Sequence, residues 1–269
     1  MGESNVLFAL GLSLFAGLST GLGGLFVLLF KKTNAKYLSV ALGFSAGVMI
    51  FVSFVEIYPE ARSHLAASMG EGMGDWIVLL SFFAGILLIA LIDKLVPEYE
   101  NPHEVRKIEE VHEYCKNTKS DKLMRTGVMT ALAISIHNFP EGLATFVSGV
   151  DSRATGIVIA FAVAIHNIPE GIALSFPVYC ATGSRKKAFL LSLVSGLAEP
   201  LGAVLAWLVL APFINDTVYG IIFAAVAGIM VYISFDELLP TAREYGEHHL
   251  SILGLTGGMA VMGISLLIL

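Results

Sequence analysis

Two six-residue stretches, His137-Asn138-Phe139-Pro140-Glu141-Gly142 and His166-Asn167-Ile168-Pro169-Glu170-Gly171, each lie inside a long apolar run. On a helix, residues at i and i+4 share a face and the residue at i+1 lies about 100° around the axis. Each stretch therefore aims an imidazole and a carboxylate the same way, with an amide beside them. That is how a helix presents metal ligands. Proline has no amide hydrogen, so Pro140 and Pro169 also leave the carbonyls of Ile136 and Ile165 without their usual i+4 partner. Such a carbonyl can serve a cation, a water or a neighbouring side chain.

Glu199 joins these residues by depth. His137, His166 and Glu199 each fall about twelve or thirteen residues into their runs, close to a bilayer midplane at about 1.5 Å per residue. A carboxylate there costs roughly 2.5 to 3.5 kcal/mol on insertion scales. Three approach the whole stability of an ordinary domain, about 5 to 15 kcal/mol. The cores of these runs hold no Lys or Arg, which leaves protonation, water or a bound cation as partners. A lone His or Asn in a membrane helix serves equally well as a hydrogen-bonding contact between helices. Two complete copies of the motif with a third acid favour metal.

Imidazole, amide and carboxylate without thiolate suit borderline divalent ions: Zn, Fe and Co, with Mn and Cd also accepted. The candidate ligands are His137, Asn138, Glu141, His166, Asn167, Glu170 and Glu199. Seven side chains exceed the needs of one ion, so a two-metal layout is natural. His137, His166, Glu141 and Glu170 form one position. Asn138, Asn167 and Glu199 form a second, with the two motif glutamates bridging. Three carboxylates cannot neutralise two dications, so the second position is the weaker one or is filled by water or protons.

These ligands need a membrane-spanning scaffold. Of 269 residues 56% are hydrophobic and 14% charged, and the mean hydropathy is +0.78. Eight apolar stretches of spanning length are read at about 4–30, 37–58, 75–96, 126–149, 154–178, 188–210, 217–239 and 250–269. None alternates with period two, and backbone in lipid must satisfy itself, so each is expected as a helix. The fold class is an all-α polytopic membrane protein, one transmembrane domain over 1–269. Met1-Gly2-Glu3-Ser4 lacks the basic region of a cleavable signal, so the first run is read as a retained span. Fourteen of the 16 Lys and Arg fall on one side of the eight spans, leaving Arg62 and Arg153 opposite. That asymmetry puts both termini outside the cytoplasm. The basic residues are dispersed over membrane-flanking loops, which gives no indication of nucleic-acid binding. Cys115 and Cys180 fall on the cytoplasmic side and are read as free thiols.

The chain also repeats itself. Leu12-Ser13-Leu14, Gly17-Leu18 and Leu22-Gly23 recur 179 residues later, and Thr20 stands where the second copy has Glu199. Nine of seventeen positions in 46–62, among them Ser53, Glu56, Pro59 and Arg62, recur 181 residues later. Counterparts lie five spans apart, so the copies run in opposite directions through the membrane. Inverted repeats are a frequent plan for secondary transporters, with substrate sites near the midplane. Glycines 17, 21, 23 and 24 are read as packing positions rather than a phosphate loop. Glu56 and Asp236-Glu237 are read first as interfacial carboxylates touching water, and second as cation-attracting vestibules. The polar segment 97–124 is read as a cytoplasmic loop with a short helix over 102–116, and His103 and His112 as weak grounds for metal sensing.

The paired motifs, Gly47-Val48-Met49 with Pro59, Val178 to Ser184, Gly196-Leu197-Ala198-Glu199, and Asp236-Glu237-Leu238 with Pro240 resemble the ZIP (ZRT/IRT-like) family of divalent-metal transporters, in particular its bacterial broad-substrate branch. The resemblance covers nearly the whole chain. It implies eight helices arranged 3+2+3, with helices 1, 4, 5 and 6 moving against a scaffold of 2, 3, 7 and 8, often as a homodimer. It also implies uptake across the cell membrane into the cytoplasm of Zn²⁺ first, and also Fe²⁺, Mn²⁺, Co²⁺ or Cd²⁺, as substrates rather than cofactors. The histidine run that many relatives carry between helices 3 and 4 is missing. Two other functions compete with this one: a selective metal channel, and an intramembrane zinc metallohydrolase. The second is disfavoured because no His-Glu-x-x-His occurs and near-equal copies gain a catalyst little.

Overall fold

Each apolar run folds as helix, the form that satisfies a backbone out of water within a single segment. The computed structural model describes residues 3–29, 35–95, 120–210, 213, 215–245 and 248–268. In order these form α1 (Glu3–Leu29), α2 (Ala35–Val52), α3 (Tyr58–Met69), α4 (Glu71–Leu95), α5 (Ser120–Asp151) and α6 (Arg153–Thr182). There follow α7 (Arg185–Gly196), α8 (Ala198–Leu205), α9 (Asp216–Ile233), α10 (Leu239–Tyr245) and α11 (His248–Ile268). No strand occurs among the described residues. Among the described residues seven helices are long and apolar enough to cross a membrane, and α5, which carries the first motif, is 32 residues long. The segment read as a loop helix over 102–116, with His103, His112 and Cys115, lies outside the described residues, as does the side chain of Cys180.

Proline explains where helices deform. A proline ring clashes with the carbonyl four residues back. Before Pro59 and Pro240 the helix widens into π turns at Ser53–Ile57 and Ser234–Leu238, closed by Tyr58 N–H to Ser53 O and Leu239 N–H to Ser234 O. Chain continues as helix beyond both, so the second run extends to Met69 rather than stopping near residue 58. The two π turns occupy equivalent positions of the 181-residue repeat. Pro200 acts differently. It cannot donate to Gly196 O, and the helix is interrupted at Leu197, whose N–H is shared by Leu193 O at 3.1 Å and Val194 O at 3.2 Å. Glu199 stands just past that break.

Helices α1, α5, α6, α7 and α8 pack as one group, and α2, α3, α4, α9, α10 and α11 as another, with α2 against α6 as the main seam. Glycine sets the closest approaches. A Cβ on Gly17 would lie 2.3 Å from Gly196 O, one on Gly196 2.1 Å from Gly17 O, and one on Gly23 2.2 Å from Ile168 O. Those first-span glycines are packing positions, as expected. Large apolar side chains on α4 and α11, such as Trp76, Leu80, Leu87, Leu253 and Leu267, are exposed, the outward surface appropriate to lipid.

Candidate metal centre

Both motifs sit mid-helix on neighbours that pack along their length, α5 and α6. His137, Asn138, Glu141, His166, Asn167, Glu170 and Glu199 are all buried, none more than 5% exposed. The close approach is again glycine's: a Cβ on Gly142 would meet Glu199 O at 2.0 Å, and one on Gly171 would meet Thr20 O at 2.0 Å.

The His166 ring is oriented by its Nδ1–H donating to Ala162 O at 3.0 Å, which turns Nε2 toward Glu141 Oε2, 3.1 Å away. Glu170 lies within electrostatic reach of both. Asn167 Nδ2 donates to Glu199 Oε1 and to Ala16 O, the latter at 3.0 Å. Asn138 Nδ2 reaches Ser195 O at 3.5 Å. What remains is a set of acceptors: Oδ1 of Asn138 and Asn167 and Oε2 of Glu170 and Glu199 are buried and find no hydrogen-bond donor among the described residues. Buried acceptors without donors are costly, and a cation satisfies carbonyl and carboxylate oxygens directly. The other buried atoms of this kind are hydroxyls, which can also donate.

His137 also has a neighbour outside the two motifs. Its Nδ1 is 3.2 Å from Glu237 Oε2, and it stays within electrostatic reach of Glu141 and Asp93. Glu237 is thus a neighbour of the centre rather than a carboxylate facing only water, its side chain 14% exposed. The π turn at Ser234–Leu238 carries it, and such turns are frequent at functional sites. Its membership in the second repeat was the available signal. Its counterpart Glu56 is partly exposed and near Glu60, away from these contacts. Ser45 Oγ donates to His166 O at 3.3 Å, a contact from α2 to which no motif pointed.

Comparison with known proteins identifies the family. The family model described as "ZIP Zinc transporter" matches residues 6–125 and 101–266. A protein of Streptococcus mutans named "Zinc transporter ZupT" is 59% identical over 257 residues, 96% of each chain. Proteins of the same name from Lysinibacillus sphaericus and Clostridium perfringens are 58% identical over 99% of each chain, and 57% identical over 98% of this chain and 97% of theirs. On matches of that extent the chain belongs to the ZIP family of metal-ion transporters, a transporter rather than an enzyme.

Proposed function

We propose that this chain takes up divalent transition-metal ions, Zn²⁺ first and also Fe²⁺, Mn²⁺, Co²⁺ or Cd²⁺, across the cell membrane into the cytoplasm. Eight spans in a 3+2+3 order, both termini outside, hold the ion at the midplane by His137, Asn138, Glu141, His166, Asn167, Glu170 and Glu199. The observation that carries this reading is the four donorless acceptor oxygens, on Asn138, Asn167, Glu170 and Glu199. His166 Nε2 and Glu141 Oε2 supply a nitrogen and an oxygen beside them. Hydration water exchanges for these atoms on one side and returns on the other. Metal ligands must be deprotonated, so a proton arriving at Glu141 or His166 helps release.

Movement between the two states follows the seam between the helix groups, where α2 meets α6. His137 and Glu237 provide the next polar step from the midplane toward the end bearing the basic loops. A homodimer is compatible with the exposed apolar faces of α4 and α11. The deciding experiment is radioactive zinc uptake by proteoliposomes. Replacing Glu141 and Glu170 together by Ala is expected to reduce uptake at least a hundredfold; unchanged uptake would remove the midplane residues from the transport path. Competition by the other metals then ranks the substrates.

A further inference from the structure

At the helix ends opposite the basic loops, three helices bring a second set of metal-type ligands together. Glu60 and His64 lie on α3, Asp151 closes α5 and Asp216 opens α9. One ligand atom each from Glu60, His64 and Asp151 fall within 4.8 Å of one another. His64 Nε2 is 3.6 Å from Glu60 Oε1 and 3.6 Å from Asp151 Oδ2. Around a tetrahedral ion with bonds of about 2.0–2.2 Å, ligand atoms stand roughly 3.3–3.6 Å apart. The other ring nitrogen, Nδ1, is 2.9 Å from Asp216 Oδ1. A carboxylate behind a histidine fixes the ring and its tautomer, the usual support of a metal-bound imidazole.

An independent feature points the same way. Tyr219 is 2% exposed and its hydroxyl has no hydrogen-bond partner among the described residues. Its ring lies against His64, centroids 4.1 Å apart, and its hydroxyl is within electrostatic reach of Asp151, Glu60 and Glu56. A water completing a metal's fourth position would satisfy that hydroxyl. Arg62, the nearby cation of α3, is taken by Asp75 at 2.6 and 3.2 Å.

We infer that Glu60, His64 and Asp151, with Asp216 orienting the histidine, form a second divalent-cation site that ties the two helix groups together at this end. Asp151 belongs to the group of α1, α5, α6, α7 and α8, and its three companions belong to the other. An ion shared between them resists separation of the groups. On the uptake reading above, this end is the outer one, and the bound ion holds the outer opening shut when external metal is abundant.

Calorimetric titration with Zn²⁺ alone tests the site without transport. Protein carrying Glu141→Ala and Glu170→Ala is expected to keep one zinc site. Adding His64→Ala should remove it, and adding Asp216→Asn should weaken it about 10- to 100-fold, the scale of losing an orienting partner. Absence of zinc binding before those additions, or binding unchanged after them, overturns the site. With the midplane intact, His64→Ala should relieve inhibition of uptake at millimolar external zinc several-fold; inhibition unchanged overturns the clamp. Uptake persisting in the Glu141→Ala, Glu170→Ala protein would instead defeat the midplane reading and leave the titration standing.

Discussion

Gly142 passes so close to Glu199 that a Cβ on it would stand 2.0 Å from the Glu199 carbonyl oxygen. Gly171 stands in the same relation to Thr20, again at 2.0 Å. Thr20 and Glu199 are equivalent positions of the 179-residue repeat, so the two motifs grip the two copies alike. The symmetry continues at Gly23 against Ile168 O and Gly202 against Phe139 O, 2.2 and 2.3 Å from a built Cβ. The backbone is symmetric at the centre while the side chains are not: one copy offers a carboxylate and the other a hydroxyl.

Gly142→Ala should therefore disturb the carboxylate without altering any candidate ligand. Backbone at that distance cannot swing aside like a side-chain tip, and overpacking typically costs about 1–3 kcal/mol. Zinc uptake is expected to fall at least tenfold at similar protein abundance. Gly257→Ala, whose Cβ would meet only Phe44 at 4.0 Å, is the matched control and should transport normally.

The sequence reached the centre further than it reached the shape of the helices. The candidates His137, Asn138, Glu141, His166, Asn167, Glu170 and Glu199 stood out because H-N-x-P-E-G recurs and because ionised groups at mid-depth need a reason, and all seven are buried. Apolar runs likewise located the helices, although the second and seventh continue past their expected ends to Met69 and Tyr245. The continuation of the second run through Pro59 to Met69 was not legible, because hydropathy falls there and a proline read locally suggests an end. The π turn that absorbs it depends on packing. Contact between His137 and Glu237 was hidden for a related reason: the residues are far apart in the chain, and the turn that re-aims Glu237 leaves no composition mark. The cluster around His64 escaped because Glu60, Asp151 and Asp216 look singly like solvated helix-end acids.

Ser192 tests the packing of the repeat interface. Its Oγ donates to Thr20 O at 2.7 Å, joining α7 to α1 where Gly171 also meets Thr20. Side-chain hydrogen bonds between membrane helices average about 0.6 kcal/mol and reach about 1.7. Ser192→Ala should destabilise the protein within that range, measured by unfolding in mixed micelles. A loss well above it would mean that the hydroxyl also serves the centre.

Glu237 separates holding the ion from releasing it. It contacts His137 at 3.2 Å, on a turn outside the two motifs. Glu237→Gln removes a charge and keeps the shape, so zinc affinity measured by equilibrium binding should change less than about threefold. Turnover should fall several-fold, because the next negative group along the path is lost. Equal losses in affinity and turnover would make Glu237 a ligand of the central ion.

Proton competition gives the last expectation, and its sign follows from the ligand set. As pH falls, protons occupy imidazole nitrogen and carboxylate oxygen, and each must leave before a metal ion can bind there. Zinc affinity should therefore weaken toward acid pH, at least tenfold between about pH 7.5 and pH 5.5, the interval in which an ordinary imidazole changes charge. The slope of log Kd against pH counts the protons released. His166 is the candidate ligand to remove, because its Nε2 lies 3.1 Å from Glu141 Oε2 while Nδ1 is committed to Ala162 O. His166→Asn should lower the slope by about one proton as well as the affinity. A slope unchanged by that substitution, measured by equilibrium zinc binding across the same pH range, would show that the proton exchanged for metal resides on another group.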